Sequence, residues 1–202
     1  MFKFDDHKLL TGYVTAFPKN VPKPEQAAAA GRLMGFISAD PDVTDLRWAA
    51  YMLATVKHEC ANTWAPIVER GSVAYFEKYD ADTPLGQRLG NVVDGDGFLF
   101  RGRGYVQITG RANYERLGRA IGLDDGLIEN PDRALEPETS YRIMSHGMRR
   151  GSFTGKKLSD YINAIGCDYV NARRIINGKD RAELIADYAT TIEGVLRSAV
   201  IP

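Results

Sequence analysis

The sequence is short of metal-ligating and cross-linking side chains: its 202 residues hold three histidines and two cysteines. Cys60 and Cys167 lie far apart, each in an apolar setting that suits a small buried hydrophobe, so they read as free thiols. His7, His58 and His146 are scattered, which leaves little for a catalytic zinc site with three protein ligands. His58-Glu59 starts like the zinc-protease motif, but that motif needs a second histidine four residues after the first, and position 62 is asparagine. No metal and no organic cofactor is expected. Charge of one sign is missing too, since 26 basic residues balance 26 acidic ones. No overall field draws the chain to nucleic acid or to an anionic membrane surface, so recognition must be local. No apolar run approaches the roughly 20 residues of a membrane-spanning helix. The start Met1-Phe2-Lys3-Phe4-Asp5-Asp6 lacks the basic and apolar regions of a secretory signal. These absences predict synthesis in a cytoplasm without stable membrane insertion.

Nucleotide motifs are absent as well. In Gly102-Arg103-Gly104-Tyr105-Val106-Gln107 a glutamine occupies the place of the third glycine of a dinucleotide fingerprint, and no Walker lysine is present. Asp94-Gly95-Asp96-Gly97 lacks the further acidic positions of a calcium loop and reads as a turn.

What remains is one core's worth of apolar side chains, 44% of the composition. The pattern predicts a mainly α (α+β) single domain over 1–202, with a small β element. Residues 1–26, with Pro18, Pro22 and Pro24, read as a short helix and a stiff connector, and 27–202 as the core. Glu25 to Ala39 reads as a helix ended by Asp40-Pro41-Asp42. Thr44 or Asp45 caps the next, which carries Leu46, Ala49, Ala50, Leu53, Ala54 and Lys57 at helical spacing. Residues 71–97 read as an extended surface region able to line a cleft, and 98–109 as the strand. Helices are predicted at 111–121, 137–149, 156–164, 168–176 and 180–198.

The chemistry-bearing residues are Glu59, at the end of a helix, and Glu69, ten residues on. Two carboxylates so arranged suit hydrolysis of a glycosidic bond, one protonating the leaving oxygen and the other activating water. A carboxylate at a helix C-terminus conflicts with the dipole, which favours cations there. On one unbroken helix the two would stand about 15 Å apart, too far for the roughly 6.5–9.5 Å of an inverting pair. A break is required, and Pro66 is the expected breaker. If 98–109 alternates as a strand, Arg103, Tyr105, Gln107 and Thr109 share a face suited to a sugar's amide and hydroxyl groups; the plainer reading is a polar network holding the fold.

Three blocks carry a resemblance to a family: His58-Glu59 with Thr63-Trp64-Ala65-Pro66-Ile67-Val68-Glu69, the run from Gly102 to Tyr114, and Ile175-Ile176-Asn177-Gly178. With Asn130-Pro131-Asp132 and Phe153-Thr154-Gly155 between them, they resemble the family 19 glycoside hydrolases, chitinase-like members of the lysozyme superfamily, and especially the bacteriophage endolysin branch. The resemblance spans about residues 44–198. It implies Glu59 as general acid and a second carboxylate assisting water. Glu69 fits the endolysin pattern, with Glu77 and Asp80 as alternatives from the plant-type arrangement. It implies substrate contacts from His58, Thr63, Tyr75, Arg103, Gln107, Thr109, Asn113 and Asn177, and assigns no position to the family's late cleft arginine. It further implies an inverting, cofactor-free endolysin that cuts the glycan strands of bacterial peptidoglycan. Such a protein would be a monomer without a wall-binding domain, reaching the periplasm with a holin's help. A chitinase, a lytic transglycosylase and a non-catalytic saccharide-binding phage component are the competing readings.

Overall fold

The computed structural model describes residues 2–201. In chain order the elements are α1 (Asp6–Ala16), α2 (Pro24–Ala39), α3 (Leu46–Glu59), β1 (Ile67–Val68), α4 (Val73–Phe76), α5 (Pro84–Arg88), α6 (Asp96–Leu99), β2 (Arg103–Gly104), α7 (Arg111–Ala120), α8 (Gly126–Glu129), α9 (Pro137–Arg150), α10 (Leu158–Tyr161), α11 (Tyr169–Ala172) and α12 (Ala182–Ala199), with 3-10 turns at Glu77–Tyr79, Pro131–Leu135 and Arg173–Ile175. The fold is mainly α, with one small antiparallel sheet. The chain folds into two compact units, one built from the residues up to Ala65 and from Gly147 on, the other from Pro66–His146.

In the first unit the core is α3. Residues Ala49 to Lys57 are buried without interruption, so this helix is covered on every side. Asp45 caps it, accepting from the Arg47 backbone N–H at 2.9 Å, and pairs with the Arg47 guanidinium at 2.6 Å. Against it lies α12, whose buried Ile185, Ala189, Ile192 and Leu196 recur at helical spacing. Pro24 opens α2, where its missing N–H costs nothing, and the Gln26 side chain accepts from the Lys23 N–H at 2.8 Å.

The second unit is assembled from short pieces. Ile67 and Val68 pair with Gly104 and Arg103 respectively. Phe100 and Tyr114 pack edge to face at 5.3 Å, and the Ser140 hydroxyl accepts the Tyr105 N–H at 2.7 Å.

Four expectations need correction. The strand predicted over 98–109 shrinks to two residues: Phe98 and Leu99 belong to α6, Gly104 and Gln107 have φ of +90° and +54°, and Arg103 turns back to pair with Ile108. The alternating face of Arg103, Tyr105, Gln107 and Thr109 therefore does not form. Residues 71–97 are not extended but hold α4, α5, a 3-10 turn and the start of α6, bent around Pro84 and several glycines. Pro66 does not end α3. The helix ends at Glu59, seven residues earlier, where Asn62 N–H reaches Lys57 O at 3.0 Å and Ala61 N–H reaches His58 O at 3.1 Å. This is the Schellman closure, with Ala61 in the left-handed position usually held by glycine. The helices predicted over 156–164 and 168–176 are also shorter, α10 and α11 with a 3-10 turn after the latter.

Candidate active site

Glu59 is the last residue of α3, with its side chain 18% exposed, and its Oε1 accepts from Nη1 of Arg173 at 2.5 Å. Arg173 opens the 3-10 turn after α11; its side chain is buried, and its Nε donates to Asp180 O at 3.0 Å. A guanidinium fixed at a second point orients the carboxylate it holds. The Tyr51 phenol feels the same pair: burial raises its pKa, the Arg173 charge opposes the rise and the Glu59 charge adds to it. Asn177 belongs to this neighbourhood, since its N–H donates to Arg173 O at 3.0 Å, while its exposed side chain accepts from the Gly178 N–H at 2.8 Å. His58 is half-buried, with its carbonyl inside the helix closure. Thr63 serves the turn itself, its hydroxyl donating to Cys60 O at 2.8 Å.

Glu69 stands in the second unit just past β1, half-buried. Its N–H donates to Gly102 O at 2.7 Å, and its Oε2 accepts the Gly102 N–H at 3.2 Å. Its Oε1 faces two phenols, Tyr75 at 3.3 Å and Tyr79 at 3.4 Å, long contacts of the kind that tighten around a bound ligand. Burial and then the Glu69 charge push the Tyr79 phenol up, keeping it a donor. The Lys78 ammonium lies 3.4 Å from the Tyr75 ring centroid and 4.7 Å from that of Tyr79.

The alternatives to Glu69 sit differently. Asp80 is buried and its Oδ1 accepts the Gly97 N–H at 2.8 Å, a brace between segments, whereas Glu77 lies on the exposed side of its turn. Of the other predicted residues, Gln107 spends its amide on Ile67 O and Gly104 O, both at 2.9 Å, tying the strands together beside Gly102. The half-buried Thr109 donates to Gln107 O at 3.2 Å and receives Asn113 Nδ2 on its carbonyl at 2.7 Å. Arg103 is 3% exposed, its guanidinium shared among Asp132 at 2.8 Å, Leu99 O and the Tyr114 hydroxyl. It has the surroundings of the fold-holding network, not those of a cleft residue. Sequence reasoning missed Arg173, which no local motif marks, and did not connect Tyr79 to Glu69.

Neither cysteine is in a disulfide; Cys60 is buried, with its pKa pushed up to about 12 by that burial, while Cys167 is exposed, contrary to the apolar setting read from its neighbours. Among the described residues no His, Cys, Asp or Glu group is placed to hold a metal ion, and no helix is long and apolar enough to cross a membrane.

The class I chitinase model, glycoside hydrolase family 19, matches residues 25–144, which hold both glutamates and the Gly102–Tyr114 block. The chain belongs to this family. An endochitinase of Persea americana is 35% identical over 120 residues, 57% of this chain and 36% of that protein. Endochitinase A2 of Pisum sativum is 30% identical over 119 residues, with the same shares. The chain thus spans about a third of the length of these curated relatives. Chitinase C from Streptomyces griseus HUT6037 superimposes with a TM-score of 0.59 at 19% identity, covering 96% of this chain and 92% of that one. A bacterial family 19 chitinase does so with 0.60 at 22%, covering 96% and 94%. These likenesses show the mainly α, lysozyme-like fold.

Proposed function

We propose that the protein hydrolyses the glycosidic bonds of an N-acetylated amino-sugar polymer, with Glu59 as general acid and Glu69 as general base. The observation that carries this reading is the contrast between the two carboxylates. Glu59 is held on one oxygen by Arg173, which orients the carboxyl and leaves Oε2 as the oxygen that would carry the proton to the leaving group. Glu69 is ringed by neutral donors, Tyr75, Tyr79 and the Gly102 N–H, and stays available to take a proton from water. A single displacement of this kind inverts the anomeric centre and needs no covalent sugar intermediate. Developing charge on the sugar is met by the Glu69 carboxylate.

The substrate we propose is the glycan strand of bacterial peptidoglycan, in the service of phage lysis. It is supported by the endolysin-like run from Gly102 to Tyr114 and by Glu69, which matches that branch. A chitin substrate is the second reading, favoured by the endochitinases among the relatives. Incubation with purified sacculi and with chitin oligomers, followed by mass spectrometry of the ends, separates the two. Reducing-end saccharides from sacculi are expected; anhydro-sugars would indicate a transglycosylase, and release of peptides alone would sink the glycosidase reading. Glu59→Gln is expected to keep the fold and sugar binding while turnover falls by about 10³-fold or more, because an amide has no acid proton to give.

A further inference from the structure

We infer that Lys57 is a positioning residue, an ammonium buried two positions before Glu59 that clamps the strained turn carrying the chain away from it. This rests on Glu59 being the acid. The turn is strained: Ala61, Asn62 and Trp64, none of them glycine, have φ of +47°, +62° and +60°. Left-handed residues of this kind persist only where their surroundings impose them. Lys57 imposes them twice over. Its carbonyl accepts the Asn62 N–H at 3.0 Å, and its Nζ donates to Asn62 Oδ1 at 2.7 Å. The same Nζ donates to the Tyr13 hydroxyl at 2.8 Å, and Tyr13 in turn packs edge-on to the Trp64 ring at 5.6 Å. One side chain thus grips two of the three left-handed residues, Asn62 directly and Trp64 through Tyr13.

The ammonium sits in a box of rings, with centroids at 5.2 Å for Tyr13, 4.3 Å for Phe17 and 5.0 Å for Tyr188. Lys57 is 1% exposed, and among the described residues no carboxylate pairs with it. The groups facing Nζ are Tyr13 and Phe17 from the first helix and the residue after it, Tyr188 from α12, and Asn62 from the turn. Of these only the two phenols titrate, and burial pushes Tyr13 up to about 12, beyond the lysine's range. Burial also brings the Lys57 pKa down to about 8. As that proton leaves, the cation–π attraction is lost and the bond to Asn62 weakens to a neutral one, so the grip depends on pH.

The test uses the full chain with Trp48→Phe, so that Trp64 is the remaining tryptophan. Its emission is expected to shift with a midpoint near pH 8, and to stay flat in Lys57→Met. Asn62→Ala, which removes the Nζ acceptor without relieving the left-handed strain, covers the case in which Lys57→Met does not fold. In both variants kcat is expected to fall about 10- to 100-fold with KM within about 2-fold, as for a displaced catalytic group. Wild-type kcat in a folded Lys57→Met or in Asn62→Ala would overturn the inference, as would a Trp64 emission indifferent to pH between 7 and 9. If the unsubstituted chain cleaves neither sacculi nor chitin, the glycosidase reading fails by itself, and the Trp64 titration still decides whether Lys57 holds the turn.

Discussion

At the scale of single residues, Arg173 and Ala61 show how contacts around one carboxylate can be separated from the carboxylate itself. Arg173→Met removes a buried guanidinium that binds Glu59 at 2.5 Å and Asp180 O at 3.0 Å. Losing one partner of a largely buried pair is expected to cost about 1–3 kcal/mol. Urea unfolding reads the cost, and turnover is expected to fall further than stability explains, because Glu59 loses its orientation. Ala61→Gly works in the other direction. Its φ of +47° suits glycine, so the exchange is expected to raise stability by about 0.5–1 kcal/mol in the same assay. Glu59 could be read from the sequence because a helix-end glutamate after histidine is a local pattern. Arg173 could not, because its partner lies 114 residues away and only tertiary packing brings the two together.

At the scale of elements, the site in the second unit depends on how closely short pieces approach. A methyl group on Gly102 would stand 3.0 Å from Gln107 Oε1 and 3.1 Å from Glu69 Oε2, so Gly102→Ala displaces the side chain that Gly102 now holds. Thermal unfolding should move little while kcat falls about tenfold or more. The loop leading into α6 is pinned by Asp96, buried, which takes the Arg111 guanidinium on both oxygens at 2.6 and 2.8 Å and the Val92 N–H at 2.8 Å. Burial alone would raise the Asp96 pKa, but Arg111 and the backbone donors outweigh it and hold the pKa below the ordinary carboxylate value. A lowered folded-state pKa supplies stability above the unfolded value near 3.9, which is lost as pH falls through the folded one. Asp96→Asn is therefore expected to lower the melting temperature at pH 7 and to flatten its fall below about pH 4. The long helices were legible in the sequence because period, cap and proline agree there. The segment 71–109 was not: its conformation is set by Gly86, Gly97 and Gly104, which approach other backbone, and by Gly102, which approaches the Gln107 and Glu69 side chains, and these approaches exist only in the folded chain.

At the scale of the whole molecule, the balance of 26 basic and 26 acidic residues governs how the protein meets a polymer. A cationic enzyme is drawn to acidic wall material by long-range attraction that salt screens within about 10 Å at 0.1 M. With no such net attraction, recognition on the proposed reading comes from short contacts by groups such as the phenols beside Glu69 and the exposed Asn177. Contacts of this range lie inside the screening length and change little with ionic strength. Cleavage of sacculi is therefore expected to vary less than about 2-fold between about 50 and about 200 mM sodium chloride, with chitin oligomers responding alike. Parallel rate measurements on the two substrates provide the check. A drop of about tenfold confined to sacculi would mean that a charged surface, and not short contacts around the two glutamates, brings the wall polymer to the enzyme.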